Sequence, residues 1–272
     1  MSLSPLYYYR RDVPIMKQAF NLRLATETIA KDAQQLGVSI EALENISIKV
    51  SAEIIQQPAL QLVLTYEVTL PSQILANQLN WRTWQQIQVN FTDYLWEETC
   101  LECFIAGSEV DGSKINNEDI VASDQTEPHK IPLQQTTAYI EINASPDGRY
   151  ALYQFESYRN PVTLPPVPLY ETDGTTRASV GWNNHKDLTA LSVASLLSST
   201  STVVQTPAHY ERSFSLPITQ LPNQQYAIAN MNIEQIHPCV ILWFGKTDLY
   251  FASGHASPPD FHNRDYWPKF EL

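Results

Sequence analysis

Leu95-Trp96-Glu97-Glu98-Thr99-Cys100-Leu101-Glu102-Cys103-Phe104-Ile105-Ala106 is the stretch on which the reading of this chain turns. From Cys100 onward it is a hydrophobic, strand-like run with one glutamate at its centre. A second run has the same design: Tyr139-Ile140-Glu141-Ile142-Asn143-Ala144, then Ser145-Pro146-Asp147-Gly148, then Arg149-Tyr150-Ala151-Leu152-Tyr153. A strand that only fills a core needs no carboxylate, and burying one without a partner is costly. Glu102 and Glu141 therefore predict either a salt bridge that braces the fold, with Arg149 or Arg159 as partner, or a bound ligand.

Working outward, most of the chain reads as short strands. Residues 20–24, 46–54 and 60–68 alternate apolar and polar side chains, the pattern of half-buried strands. Residues 84–91 read as a further strand. Residues 39–45 form a helical turn capped by Ser39. Pro146-Asp147-Gly148 is a turn signal, so residues 139–158 are expected to fold as a hairpin. Residues 161–168 hold four prolines and must be extended or irregular. Residues 188–197 fit a strand or a short helix. Residues 213–218 read as a short strand, the apolar run 240–245 as a central buried strand, and 249–252 as its partner. Polar loop insertions are expected near 107–135 and 198–211. About ten strands with almost no helical periodicity predict an all-β chain, an antiparallel β-sandwich of jelly-roll type, in a single domain spanning 1–272.

Composition narrows the function. Hydrophobic residues make up 43% of the 272, enough for a real core. Asp and Glu number 29 against 17 Lys and Arg, a net charge of -12. That balance excludes nucleic acid and anionic membrane as expected partners, since both need a basic footprint. The start of the chain shows no basic region leading into an apolar one, and no apolar run approaches the roughly 18 residues of a spanning helix. Three cysteines are too few for a disulfide framework. A cytoplasmic location is expected. Phosphate loops, dinucleotide fingerprints, Gly-x-Ser-x-Gly and His-Glu-x-x-His are all missing, and eight glycines leave little for a nucleotide cradle.

Three blocks carry a family resemblance. They are Thr99-Cys100-Leu101-Glu102-Cys103-Phe104, Tyr139-Ile140-Glu141-Ile142-Asn143-Ala144-Ser145-Pro146-Asp147-Gly148, and Pro259-Asp260-Phe261-His262. In this order they resemble the bacterial DOMON-like proteins, which are related to family 9 carbohydrate-binding modules. Thr99 stands where that pattern has Asp. Leu95-Trp96 and Tyr158-Arg159 are similar to the cytoplasmic DOMON-like branch. The resemblance implies a non-catalytic carbohydrate-binding-module-like sandwich and brings no established activity with it.

The candidate residues follow. Among the tryptophans, Trp96 and Trp182 lie in polar, loop-like settings that suit stacking on a sugar face, while Trp243 belongs to the core. Cys100 and Cys103 make a Cys-x-x-Cys, but on a strand an odd offset sends them to opposite faces, so core packing is expected. His255, Asp260 and His262 could form a small metal cluster, although a tail anchor is the favoured role for His262. The expectation is a non-enzymatic module that binds a carbohydrate or related small molecule through Trp96, Glu102, Glu141, Asn143, Arg159 and Trp182, with no cofactor and no metal. The alternatives are a DOMON domain holding haem through Met231 and His237, and a glycan hydrolase using Glu102 and Glu141. Oligomeric state is open.

Overall fold

The structure, a computed structural model, describes residues 14–56, 59–107, 138–184, 207–218 and 233–271. The described residues form ten strands: β1 (Pro14–Leu24), β2 (Ser47–Ile55), β3 (Gln61–Leu70), β4 (Cys100–Gly107), β5 (Tyr139–Ala144), β6 (Tyr150–Phe155), β7 (Gly181–Asn184), β8 (Ala208–Pro217), β9 (Ile233–Phe244) and β10 (Thr247–Ala252). Three short helices accompany them: α1 (Ile29–Leu36), α2 (Ile40–Glu44) and α3 (Gln73–Gln78). The chain is all-β. Its strands make one curled antiparallel sheet in the order β6-β5-β4-β9-β10-β1-β2-β3-β8-β7.

The sheet is thinnest between β10 and β1, where only Arg23 with Ala252 and Leu24 with Phe251 are paired. Five strands lie on each side of this seam. The two halves share one apolar cluster, to which β2 and β3 contribute Val50, Leu62 and Val68, and β4 and β5 contribute Leu101, Ile105 and Ile142. The hydroxyl of Tyr66, on β3, donates to the backbone carbonyl of Glu102, on β4, at 2.6 Å across this core.

Burial separates the halves. In β2 and β3 every second residue is buried, as their alternating sequence dictates. In β4 and β5 every residue is buried. Their second face is closed by another apolar cluster, built from Cys100, Phe104, Tyr139, Tyr153, Phe155, Cys239 and Ile241 with Phe261 and Trp267 from the tail. The glutamates belong to this second face.

Several local expectations match what is observed. Ser39 caps α2, its Oγ accepting from the amide of Ala42 at 3.1 Å. β5 and β6 pair as a hairpin through Ser145–Gly148, with Gly148 at φ 115°. Residues 84–91 are a correction, because they form no strand. Gln86–Gln88 is a single 3-10 turn, and this segment docks instead on the β5–β6 turn. The amide of Gln85 donates to the Asp147 carbonyl at 2.9 Å, and that of Tyr150 donates to the Asn90 carbonyl at 3.1 Å. Ile87, whose spacing suited a buried strand position, is 85% exposed. Residues 208–211, expected as loop, begin β8. The remaining loop insertions, residues 188–197 and Met231 lie outside the described residues.

Candidate functional site

The period of two along β4 sends Leu101, Cys103 and Ile105 into the shared core and Cys100, Glu102 and Phe104 to the second face. The two cysteines of the Cys-x-x-Cys therefore lie on opposite sides of one strand, both reduced and buried. The same alternation on β5 puts Tyr139, Glu141 and Asn143 on the second face. Cross-strand register then assembles rows. Glu102 lies between Asn143 on β5 and Cys239 on β9, with Ala151 beyond the one and Ala252 beyond the other. Phe104 lies between Glu141 and His237, with Tyr153 beyond Glu141. The Glu102 row is made of small side chains, which leaves room above it. A cavity of about 460 Å³ occupies this face, with Trp96, Glu102, Phe104, Glu141, Phe155, Arg159, Ile241, Tyr250, Phe261 and His262 among its lining residues. The proline-rich segment forms its rim, where Val162 and Leu164 are largely exposed.

Neither glutamate has the arginine that sequence reasoning offered it. Arg149 is bound to Glu98 at 2.6 Å and Asp147 at 2.9 Å, in the network that holds the hairpin turn. Arg159 is bound to Asp260 at 2.7 Å. Glu141 instead accepts from the Asn143 amide at 2.7 Å through Oε1, and its Oε2 is 3.7 Å from Nε2 of His262. Glu102, only 3% exposed, has no hydrogen-bond partner for Oε1 among the described residues.

Burial sets the ionisation of this wall. Desolvation pushes the Glu102 carboxyl well above the usual carboxylate range; its neighbour Glu141 adds to the rise, and a hydrogen bond with Cys100 opposes it. Desolvation also raises Glu141, to about 7, against the pull of the Asn143 hydrogen bond and the Arg159 charge. Desolvation lowers His262 to about 3, with Arg159 adding to the shift. With His262 held uncharged, its contact with Glu141 is not an ion pair.

The tail positions the rest. Asp260 accepts from the Arg159 guanidinium, from the Tyr158 hydroxyl at 2.5 Å and from the His262 amide at 3.0 Å. The Tyr139 hydroxyl accepts from the Arg159 amide at 3.1 Å and bonds Nδ1 of His262 at 2.6 Å. Among the described residues, the non-glycine positions with positive φ are Tyr94 at 63° and Arg159 at 51°. Arg159 lines the cavity, and Tyr94 packs against Trp96 with ring centroids 5.3 Å apart. Such conformations cost on the order of 1 kcal/mol each and concentrate at functional sites.

Of the six residues singled out from sequence, Trp96, Glu102, Glu141 and Arg159 border this cavity. Asn143 lies fully buried behind it, orienting Glu141. Trp182 is elsewhere. It stands on β7, its indole donates to the Gly148 carbonyl at 3.0 Å, and it packs edge-on against Phe214. The cavity residues that sequence reasoning passed over include Phe104, Phe155, Ile241 and Tyr250. Phe104 was recoverable, since a position two residues from Glu102 must share its face.

For haem ligation His237 would have to shed its neighbours. It is 1% exposed and stacked on Trp267 with an interplanar angle of 13°. His255 is bonded through Nε2 to the Arg23 carbonyl at 2.7 Å. Among the described residues no group of three or more His, Cys, Asp or Glu is placed to hold a metal ion.

The chain matches no protein-family model, and no curated protein matches it. Among solved structures it is similar to a "putative carbohydrate-binding protein" from Bacteroides uniformis ATCC 8492, with a TM-score of 0.43 and 11% identity over 93% of this chain and 86% of that one. A likeness of that size carries no argument about function.

Proposed function

We propose that the chain is a single-domain, non-catalytic β-sandwich of the DOMON-like, carbohydrate-binding-module-like kind, and that the cavity over β4 and β5 takes a sugar or sugar-like small molecule. One observation carries this reading: the Trp96 indole and the carboxyls of Glu102 and Glu141 border a single cavity of about 460 Å³, a size typical of small-molecule sites. Aromatic walls suit the apolar face of a pyranose. Carboxyls that keep their protons both donate and accept, as sugar hydroxyls do. Three buried, reduced cysteines support a cytoplasmic setting.

The test is calorimetry against a panel of mono- and oligosaccharides, with Trp96→Ala as control. Binding that weakens by about tenfold or more in Trp96→Ala is expected, in line with the loss of an aromatic platform of about 1.5 kcal/mol. Silence across neutral and charged sugars alike would remove the reading.

A hydrolytic reading has one observation in its favour. Glu102 and Glu141 share a face on adjacent strands, as diagonal neighbours within reach of one substrate. Chromogenic glycosides separate the two readings, and no turnover is expected.

A further inference from the structure

We propose that the ligand of this cavity is a cation, an amino sugar or related organic amine whose ammonium group sits between Glu102 and Glu141 and against the neighbouring aromatic rings. This rests on the reading of the cavity as a ligand site and names what it selects.

The cavity holds buried acids that lack a counter-ion among the described residues. Among the described residues that border the cavity or pack beside it, few groups could serve as a counter-ion. β4 brings Glu102 and Cys100; β5 brings Tyr139 and Glu141. β6 brings Tyr153, whose hydroxyl donates to Asp93 at 2.8 Å. β9 brings His237 and Cys239, and β10 brings Tyr250, whose hydroxyl donates to Asp248 at 2.5 Å. The segment after β6 brings Arg159, and the tail brings Asp260 and His262. Arg159 and Asp260 cancel each other at 2.7 Å. His237 and His262 are held uncharged by burial. Among the described residues two carboxyls remain, both nine-tenths or more buried, and Glu102 has an oxygen without a hydrogen-bond partner.

Such a group is stable only if it keeps its proton or meets a cation. A neutral sugar would offer neither carboxyl a counter-ion. An ammonium group would give each a charge-assisted hydrogen bond, roughly twice as strong as a neutral one. The walls favour the same ligand, because Trp96, Phe104, Phe155, Tyr250 and Phe261 are among the lining residues, and aromatic rings attract a desolvated cation.

The experiment compares matched ligands on the full chain by calorimetry at pH 7. Glucosamine, glucose, N-acetylglucosamine and tetramethylammonium are the probes. Glucosamine is expected to bind at least about tenfold more tightly than glucose, the worth of one charge-assisted hydrogen bond or cation–π contact. Its binding should also release protons, read as a dependence of the observed heat on buffer ionisation enthalpy, whereas glucose binding should not. In Glu102→Gln/Glu141→Gln, checked for an intact fold by circular dichroism, the preference should vanish. Glucose or N-acetylglucosamine binding as tightly as glucosamine would overturn the cation proposal and leave the sugar site standing. Tetramethylammonium binding without any sugar binding would uphold the cation and remove the sugar. No binding by any of the four would overturn both. The wild-type comparison alone decides, so a poorly folding variant does not block the test.

Discussion

At the residue scale Glu102 is a destabilising choice. A carboxyl 3% exposed, with one oxygen unbonded among the described residues, is destabilising wherever it must ionise. Glu141 is milder, because Asn143 holds it and Arg159 attracts it. A glutamate whose folded value is raised contributes stability that is whole below its unfolded value of 4.5 and is lost as pH rises through the folded one. For Glu141 that window runs from 4.5 to about 7. In the ligand-free protein Glu141→Gln is therefore expected to match the wild type near pH 4.5 and to exceed it by about 1–3 kcal/mol at pH 8. Glu102→Gln should behave the same way. Urea denaturation at the two pH values checks this, and equal stabilities at pH 8 would mean the carboxyls are not desolvated as described. The presence of these groups was legible in the sequence, because a glutamate centred in an apolar strand has few reasons to be there. Their partners were not legible. Arg149 and Arg159 were the natural guesses, but each already serves a nearer acid, Asp147 with Glu98 and Asp260. Side-chain pairing of this kind is decided by three-dimensional neighbours that no spacing rule supplies.

At the element scale the β5–β6 hairpin supports the site, since it fixes the register of Glu141 beside Phe104 and Tyr153. Its turn depends on Gly148. That residue has φ 115°, and a Cβ there would lie 3.2 Å from Val89 Cγ2 and 3.4 Å from the Gln85 carbonyl. Gly148→Ala is expected to destabilise the protein by about 2–4 kcal/mol, strain and crowding together. Gly245 gives the contrast. It has φ 64° and open space around it, so Gly245→Ala should cost only about 1 kcal/mol. Thermal unfolding of the two variants measures the difference, and equal losses would show that the crowding is relieved at no cost. Elements with alternation against a half-solvated face, such as β2 and β3, were readable from sequence. Residues 84–91 carried a similar alternation yet fold as a docked loop, because their backbone groups are satisfied by the hairpin turn rather than by a ladder. The helices α1 and α3 escaped notice for a simpler reason. Eight and six residues leave too short a stripe to register as helical periodicity.

At the scale of the whole molecule, opposite titrations meet across one buried face. Glu102 and Glu141 bind protons more tightly in the fold than outside it. His237 and His262, both lowered to about 3 by burial, bind them less tightly. A histidine with a depressed value contributes stability that is whole above 6.5 and is lost as pH falls toward 3. Between pH 4.5 and 6.5 the unfolded chain carries protons on these two histidines and the folded one carries them on the two glutamates. The proton counts match, so the slopes cancel. The ligand-free protein is expected to hold a near-constant stability across that window. Above it, stability falls as the glutamates are forced to ionise. Below it, stability falls because the histidines must charge, and Asp147, held low by Arg149, and Asp260, held low by the Tyr158 hydroxyl and Arg159, add to that acid loss. His255, also lowered by burial, tilts the plateau slightly upward with pH. Removing one side of the balance exposes the other. In Glu102→Gln/Glu141→Gln the histidines act alone, so stability should climb from pH 4.5 to 6.5 by about 1–3 kcal/mol per pH unit. Urea denaturation at half-unit intervals distinguishes the two shapes. A wild-type profile that already climbs through the window would mean that the glutamates ionise freely in the fold, and a double variant that stays flat would mean that the histidines do.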